Sequence, residues 1–158
     1  MSRRLQTPLK PLLKMPPVWI GGRASFTPPL LALAQVDGSY KAGKGAAAVW
    51  LETAAQDRID KKVYQLGNIE SSTEAEWAAI YAGVFRCLEL HEGAFILEND
   101  CLGVIHILSQ RDAKLKKEYA RYYYSKIKEQ AESAEWIGIR WIPRAYNQAD
   151  SLFHAQKK

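Results

Sequence analysis

The chain has 158 residues, 47% hydrophobic and 25% charged, the proportions of a soluble globular protein. That length is one domain with room for a short appendage, and it can bury a core without disulfide or metal staples. No run approaches the ~20 apolar residues of a membrane-spanning helix, and prolines with Lys14 break up the N-terminal segment that a secretion signal would need.

The two cysteines, Cys87 and Cys101, have no metal-ligand spacing, so a reducing, cytoplasmic setting is expected. The formal net charge of +5 is unevenly placed. Residues 1–30 carry Arg3, Arg4, Lys10, Lys14 and Arg23 with no acid, leaving 17 basic residues to balance the 17 acids of the remainder. Six of the seven prolines and Gly21-Gly22 fall in the same stretch. Proline removes a backbone donor and restricts its predecessor, so neither a helical nor a strand period survives there. The expectation is a flexible or extended basic arm over 1–30, able to touch the domain through Trp19, Ile20 and Phe26, followed by a folded domain over 31–158. A basic tail suits phosphate attraction, although such tails also occur with no dedicated role.

The first predicted strand is the apolar run 30–36. A Gly-rich turn over 38–45 leads to a second at 46–51, and a polar stretch to a third near 62–67. A helix then starts near Thr73, because Ala75, Ala78, Ala79, Ala82, Phe85 and Leu88 recur at helical spacing up to the turn at His91-Glu92-Gly93. Ser72 or Thr73 is placed to cap it, with acids in its first turn. A fourth strand covers 94–99, a short helix 102–108 and a longer charged helix 113–132. The last displays Lys114, Lys117, Arg121 and Lys128 but also Glu118, Glu129 and Glu132, so a solvated face is its plain reading. The fifth strand, 136–142, runs into Pro143 and a terminal helix from about 148. Three meander strands followed by crossover units predict an α/β fold, a mixed five-stranded sheet with helices on its faces.

Four acids punctuate this order: Asp37 and Asp100 at strand ends, Glu76 at a helix start and Asp150 beside the terminal helix. Singly, each reads as a cap or turn residue. Gathered at one sheet edge, they would repel one another and raise their own pKa values. Divalent cations relieve that repulsion, and hard oxygen ligands suit Mg²⁺, with Mn²⁺ as a substitute. Two such ions about 3.5–4 Å apart would activate water and stabilise a departing 3′-oxygen. The histidines, His91, His106 and His154, are scattered and suggest no zinc site; His154, beside Leu152 and Phe153, reads as structural or surface.

With these elements in this order, residues 31–157 resemble the type 1 ribonuclease H family and its ribonuclease-H-like relatives. Val36-Asp37-Gly38-Ser39 resembles the family's first-strand Asp-Gly-Ser element. Ala75-Glu76-Trp77-Ala78-Ala79-Ile80-Tyr81-Ala82-Gly83 resembles its glutamate-bearing helix, a register that selects Glu76 over Glu74. Asn99-Asp100 stands where the family has an aspartate usually preceded by Thr or Ser. Pro143-Arg144 and Asn147-Gln148-Ala149-Asp150-Ser151-Leu152 resemble its closing element. Two departures are plain. The closing Asn and Asp are usually four residues apart, whereas Asn147 and Asp150 are three; either the loop is shortened or Tyr146 takes the Asn position. The product-releasing histidine and the extra basic helix of some relatives have no counterpart.

The resemblance implies a monomeric endonuclease that hydrolyses the RNA strand of RNA/DNA hybrids, leaving 5′-phosphate and 3′-hydroxyl ends. Asp37, Glu76, Asp100 and Asp150 would be both catalytic residues and metal ligands. Gly38, Ser39, Asn68, Ser71 and Ser72 are candidate readers of the hybrid, while Lys41, Lys44 and Arg144 are placed for phosphates. Trp50 and Trp77 suit base stacking, yet aromatics inside a strand or helix pattern are more often core. Two alternatives use the same fold: a nuclease for DNA or structured nucleic acid, and a binding domain without chemistry.

Overall fold

The computed structural model describes residues 16–110 and 113–155. In chain order the elements are β1 (Val18–Gly21), β2 (Ala32–Lys41), β3 (Lys44–Glu52), β4 (Ile59–Asn68), α1 (Ser72–Glu89), β5 (Ala94–Asn99), α2 (Leu102–Leu108), α3 (Glu118–Ala131), β6 (Trp136–Trp141), a 3₁₀ turn (Arg144–Tyr146) and α4 (Asp150–Ala155). One sheet holds all six strands in the order β1-β6-β5-β2-β3-β4. β2, β3 and β4 form an antiparallel meander, and β5 and β6 extend the sheet parallel to β2.

The core explains why these sequences take these places. β2 and β3 are covered on both faces, so neither shows a clean alternation. Ala47, Val49 and Leu51 of β3 join Ala34 and Val36 of β2 beneath α1, in a main core that includes Trp77, Ile80, Phe95 and Ile127. Ala48 points the other way and meets Ala149 and Leu152 in a smaller cluster under α4. The alanines of α1 let it lie close on the sheet. At Gly83 a Cβ would come within 2.6 Å of Val36 Cγ1 and 3.0 Å of Leu97 Cδ2. β4, at the sheet edge, carries Asp60, Lys61 and Lys62, charges of the kind that keep an exposed edge from pairing with another chain. Among the described residues no helix is long and apolar enough to cross a membrane.

The five predicted strands are present, and a sixth is added. β1 falls within the stretch read as an arm, the first 15 residues of which lie outside the described residues. It pairs antiparallel with β6, Val18 opposite Ile139 and Trp19 opposite Gly138. Ile20 is buried in the main core, and Lys128 Nζ donates to the Ile20 carbonyl at 3.2 Å. Arg23 and Ala24 then bond the carbonyls of Ala134 and Glu135. Three residues between Pro16-Pro17 and Gly21-Gly22 carry no period, and an edge strand tolerates prolines beside it. Two helices also start later than expected: α3 at Glu118 and α4 at Asp150. The cap of α1 is neither Ser72 nor Thr73 but Ser71, whose hydroxyl accepts from the Glu74 N–H at 3.2 Å.

If β1 belongs to the folded unit, Ile20→Ala should destabilise the chain by about 2–3 kcal/mol. Trp19→Ala, at a position 54% exposed, should cost no more than about 0.5 kcal/mol. Urea unfolding of the two variants against the parent measures both.

Candidate metal centre

Asp37 lies on β2 opposite Ala48 of β3, and its carboxyl is buried. The next residue must be glycine. A Cβ at Gly38 would fall 2.5 Å from the carbonyl carbon and oxygen of Ala75 and 2.7 Å from the Glu76 nitrogen, so the first turn of α1 can sit directly on β2. That contact carries Glu76 to Asp37, and the Gly38 backbone hydrogen-bonds the Glu76 carboxylate. Glu74 is engaged elsewhere: its Oε1 accepts from the Glu70 N–H at 2.8 Å while Ser71 caps the Glu74 N–H.

Asp100 follows β5 and is held by its backbone, since Trp141 Nε1 donates to its carbonyl at 3.2 Å. The preceding Asn99 is fully buried. Its Nδ2 donates to the Val36 carbonyl at 2.9 Å and to Glu76 Oε1 at 3.2 Å, while its Oδ1 accepts from the Cys101 N–H at 2.8 Å. One amide thus ties β2, α1 and the start of α2 together. Asn147 does the same for the closing loop. Its Nδ2 donates to the same Val36 carbonyl at 2.8 Å, and its Oδ1 accepts from the Ala149 N–H at 3.1 Å. Of the two residues offered for this place, it is Asn147 whose side chain ties the closing loop to β2.

Asp37, Glu76 and Asp100 each offer a carboxylate oxygen within 4.8 Å of the others. Asp150, on the first turn of α4, stands outside that triad and reaches it through a side-chain hydrogen bond with Asp37. The electrostatic cost is visible in the proton affinities. Burial raises Asp37 to about 8, and Glu76, Asp100 and Asp150 push it in the same direction. Burial raises Glu76 to about 7 against the opposing bond from Asn99 and the charge of Arg144. Asp100 is raised, again chiefly by burial, with Arg144 opposing. Asp100 Oδ2 is buried and has no hydrogen-bond partner among the described residues. Three close, dehydrated carboxyls with one oxygen left over fit a hard divalent cation, and this cluster is able to chelate one.

The triad opens into a cleft of about 420 Å³ lined by Gly38, Ser39, Tyr40, Lys41, Ser72, Arg144, Asp150, Phe153 and His154 besides the three acids. Of the predicted nucleic-acid contacts, Gly38, Ser39, Lys41, Ser72 and Arg144 lie on its wall. Asn68 and Ser71 do not: Asn68 pairs with Lys44 at the end of β4, and Ser71 is used by the helix cap and by Tyr119, whose hydroxyl lies 3.3 Å from Ser71 Oγ. Trp77 is core. His154 is exposed, in keeping with its surface reading, and it also lines the cleft with Nε2 3.8 Å from Asp150 Oδ2. Spacing held that signal, since residues four apart share a helix face. Tyr40 carried none.

The chain is similar in structure to several ribonucleases H. The chain superposes on the N-terminal RNase H domain of Rv2228c from Mycobacterium tuberculosis with a TM-score of 0.67 and 20% identity, covering 78% of this chain and 95% of that one. RNase H1 from the halophilic archaeon Halobacterium salinarum NRC-1 gives 0.67 and 20%, covering 77% and 92%. LC11-RNase H1, isolated from compost by a metagenomic approach and solved in complex with an RNA/DNA hybrid, gives 0.62 and 17%, covering 77% and 92%. The fold is therefore ribonuclease-H-like. Residues 35–154 match the family model described as reverse transcriptase-like, and the chain belongs to that family. No curated protein is significantly similar in sequence.

The raised carboxyls have a thermodynamic consequence. Asp37 titrates at about 8 in the fold against 3.8 when free, and Glu76 at about 7 against 4.5. Folded pKa values above the unfolded ones mean stability that is full below about pH 4 and is lost as pH rises through 7 to 8. The metal-free chain should thus have a lower urea midpoint at about pH 8.5 than at about pH 5, and millimolar Mg²⁺ should recover the difference. Asp37→Asn should flatten the pH dependence and abolish the Mg²⁺ effect.

Proposed function

We propose that the protein is a divalent-metal-dependent endonuclease that hydrolyses the RNA strand of RNA/DNA hybrids. The observation that carries this reading is the Asp37-Glu76-Asp100 triad, with its unpaired Asp100 oxygen, at the floor of a cleft in a ribonuclease-H-like fold. The fold's occurrence in LC11-RNase H1, solved with an RNA/DNA hybrid, supports the choice of substrate.

In this reading Asp37, Glu76 and Asp100 hold Mg²⁺, and Asp150 completes a second position beside Asp37. Bound there, the cations supply charge neutralisation for the phosphodiester and a lowered pKa for the attacking water. The chain's own residues do the rest. Asn99 and the Gly38 backbone aim Glu76 inward, and Asn147 keeps the Asp150 loop against β2. Arg144 and Lys41 on the cleft wall meet phosphates, and the Ser39 and Ser72 hydroxyls with the Gly38 backbone read 2′-hydroxyls from the minor groove. In-line attack by water then leaves a 5′-phosphate and a 3′-hydroxyl.

The decisive assay compares matched RNA/DNA, RNA/RNA, DNA/DNA and single-stranded substrates in Mg²⁺ and Mn²⁺. Cleavage should be confined to the RNA of the hybrid and fall at least about a hundredfold in Asp37→Asn. Cleavage of DNA instead would replace the substrate, and no cleavage by folded, metal-loaded protein would leave only binding.

Arg144→Ala separates phosphate contact from chemistry. Hybrid affinity should weaken across sequences, and the slope of log affinity against log salt should fall by about 1 in magnitude.

A further inference from the structure

A second polar chain runs beneath the cleft, across three neighbouring strands. Gln35 of β2, Glu98 of β5 and Arg140 of β6 stand in register as successive partners. Arg140 donates from Nε and Nη2 to Glu98 Oε2, each at 2.6 Å. Glu98 Oε1 accepts from Gln35 Nε2 at 2.9 Å. Gln35 Oε1 in turn accepts the backbone N–H of Gln148 at 2.8 Å. Gln35 and Glu98 are both buried, so an unmade bond here is costly. The far end lies two residues before Asp150. There the Gln148 carbonyl is also gripped, by Ser151 N–H at 3.2 Å and Ser151 Oγ at 2.7 Å.

The chemistry of the members imposes a direction. Arginine only donates and a carboxylate only accepts, so Glu98 compels the Gln35 amide to turn its NH₂ inward. That leaves the Gln35 oxygen facing the loop, where an N–H needs it. We propose that Arg140, Glu98 and Gln35 form a directional hydrogen-bond relay that fixes the Gln148 loop against β2, making Gln35 a positioning residue for Asp150. The value of that placement to catalysis rests on the nuclease reading above; the relay itself does not.

Two substitutions separate direction from shape. Gln35→Met preserves volume and removes the acceptor for Gln148. Glu98→Gln is isosteric but cannot satisfy both neighbours. With its oxygen toward Arg140, its NH₂ turns the Gln35 amide over and sets an NH₂ against the Gln148 N–H. With its oxygen toward Gln35, an NH₂ faces the guanidinium. A side chain that merely fills space would make the isosteric change the mildest, whereas the relay makes it at least as damaging as Gln35→Met.

The test is residue-resolved amide hydrogen exchange on the full chain, together with Mn²⁺ titrations of the parent, Gln35→Met, Glu98→Gln, Asp150→Asn and Gln35→Met/Asp150→Asn. The Gln148 amide should exchange about tenfold faster or more in both relay variants. Gln35→Met should shift the Mn²⁺ titration as Asp150→Asn does, and the double variant should add less than about twofold to either. Unchanged Gln148 exchange, a milder effect from Glu98→Gln than from Gln35→Met, or full additivity with Asp150→Asn overturns the relay. If the parent binds no divalent ion, the nuclease reading fails, and Gln148 exchange alone then upholds or overturns the relay.

Discussion

Carboxyls that share a small, dry volume resist ionising together, and the structure around Asp37, Glu76 and Asp100 is organised to hold them there regardless. The approach that makes this possible is the first turn of α1 on β2 at Gly38, where any side chain would collide with the helix backbone. Because α1 is fixed along its length by alanines and Gly83 against the sheet, Glu76 has little room to relax away from Asp37. The crowding is expressed as raised proton affinity. A site of this kind resists full ionisation when empty, and a bound cation would favour its charged form.

Amide side chains do most of the positioning. Asn99 at the end of β5 and Asn147 in the closing loop converge on the single carbonyl of Val36, and Gln35 holds a second point of that loop. Amides suit the task because each both donates and accepts, and none adds charge to a site that already has too much. The one buried ion pair of this group, Glu98 with Arg140, lies a strand away from the triad and orients Gln35. A fully satisfied polar network of this type specifies one arrangement, since every alternative leaves a buried group unpaired.

Much of the fold was legible in the chain because the relevant signals are local. Helical spacing of small residues marked α1, apolar runs bounded by turns marked β2, β3 and β5, and Pro143 closed β6. β1 escaped notice because its partner lies far along the chain and its four residues sit among prolines and glycines. The late start of α3 escaped for a related reason: 113–117 is charged like the helix that follows it and holds no proline or glycine, and composition alone does not mark where hydrogen bonding begins. Ser71 rather than Ser72 caps α1, a one-residue distinction that depends on where the β4 strand releases the chain.

By itself the sequence determined which acids exist, which elements bear them and in what order, because strand ends, helix starts and the Asp-Gly pair are written in neighbouring residues. Tertiary structure alone decided that three of them come within 4.8 Å while Asp150 joins through Asp37, that His154 faces the cleft while Asn68 and Ser71 turn elsewhere, and that Asn147 meets Val36 despite the short interval. Most of those outcomes depend on contacts between residues far apart in the chain, from Asn99 with Val36 to Asn147 with Val36 and Gln148 with Gln35. No local pattern encodes such contacts; they form only once helices have packed against both faces of the sheet.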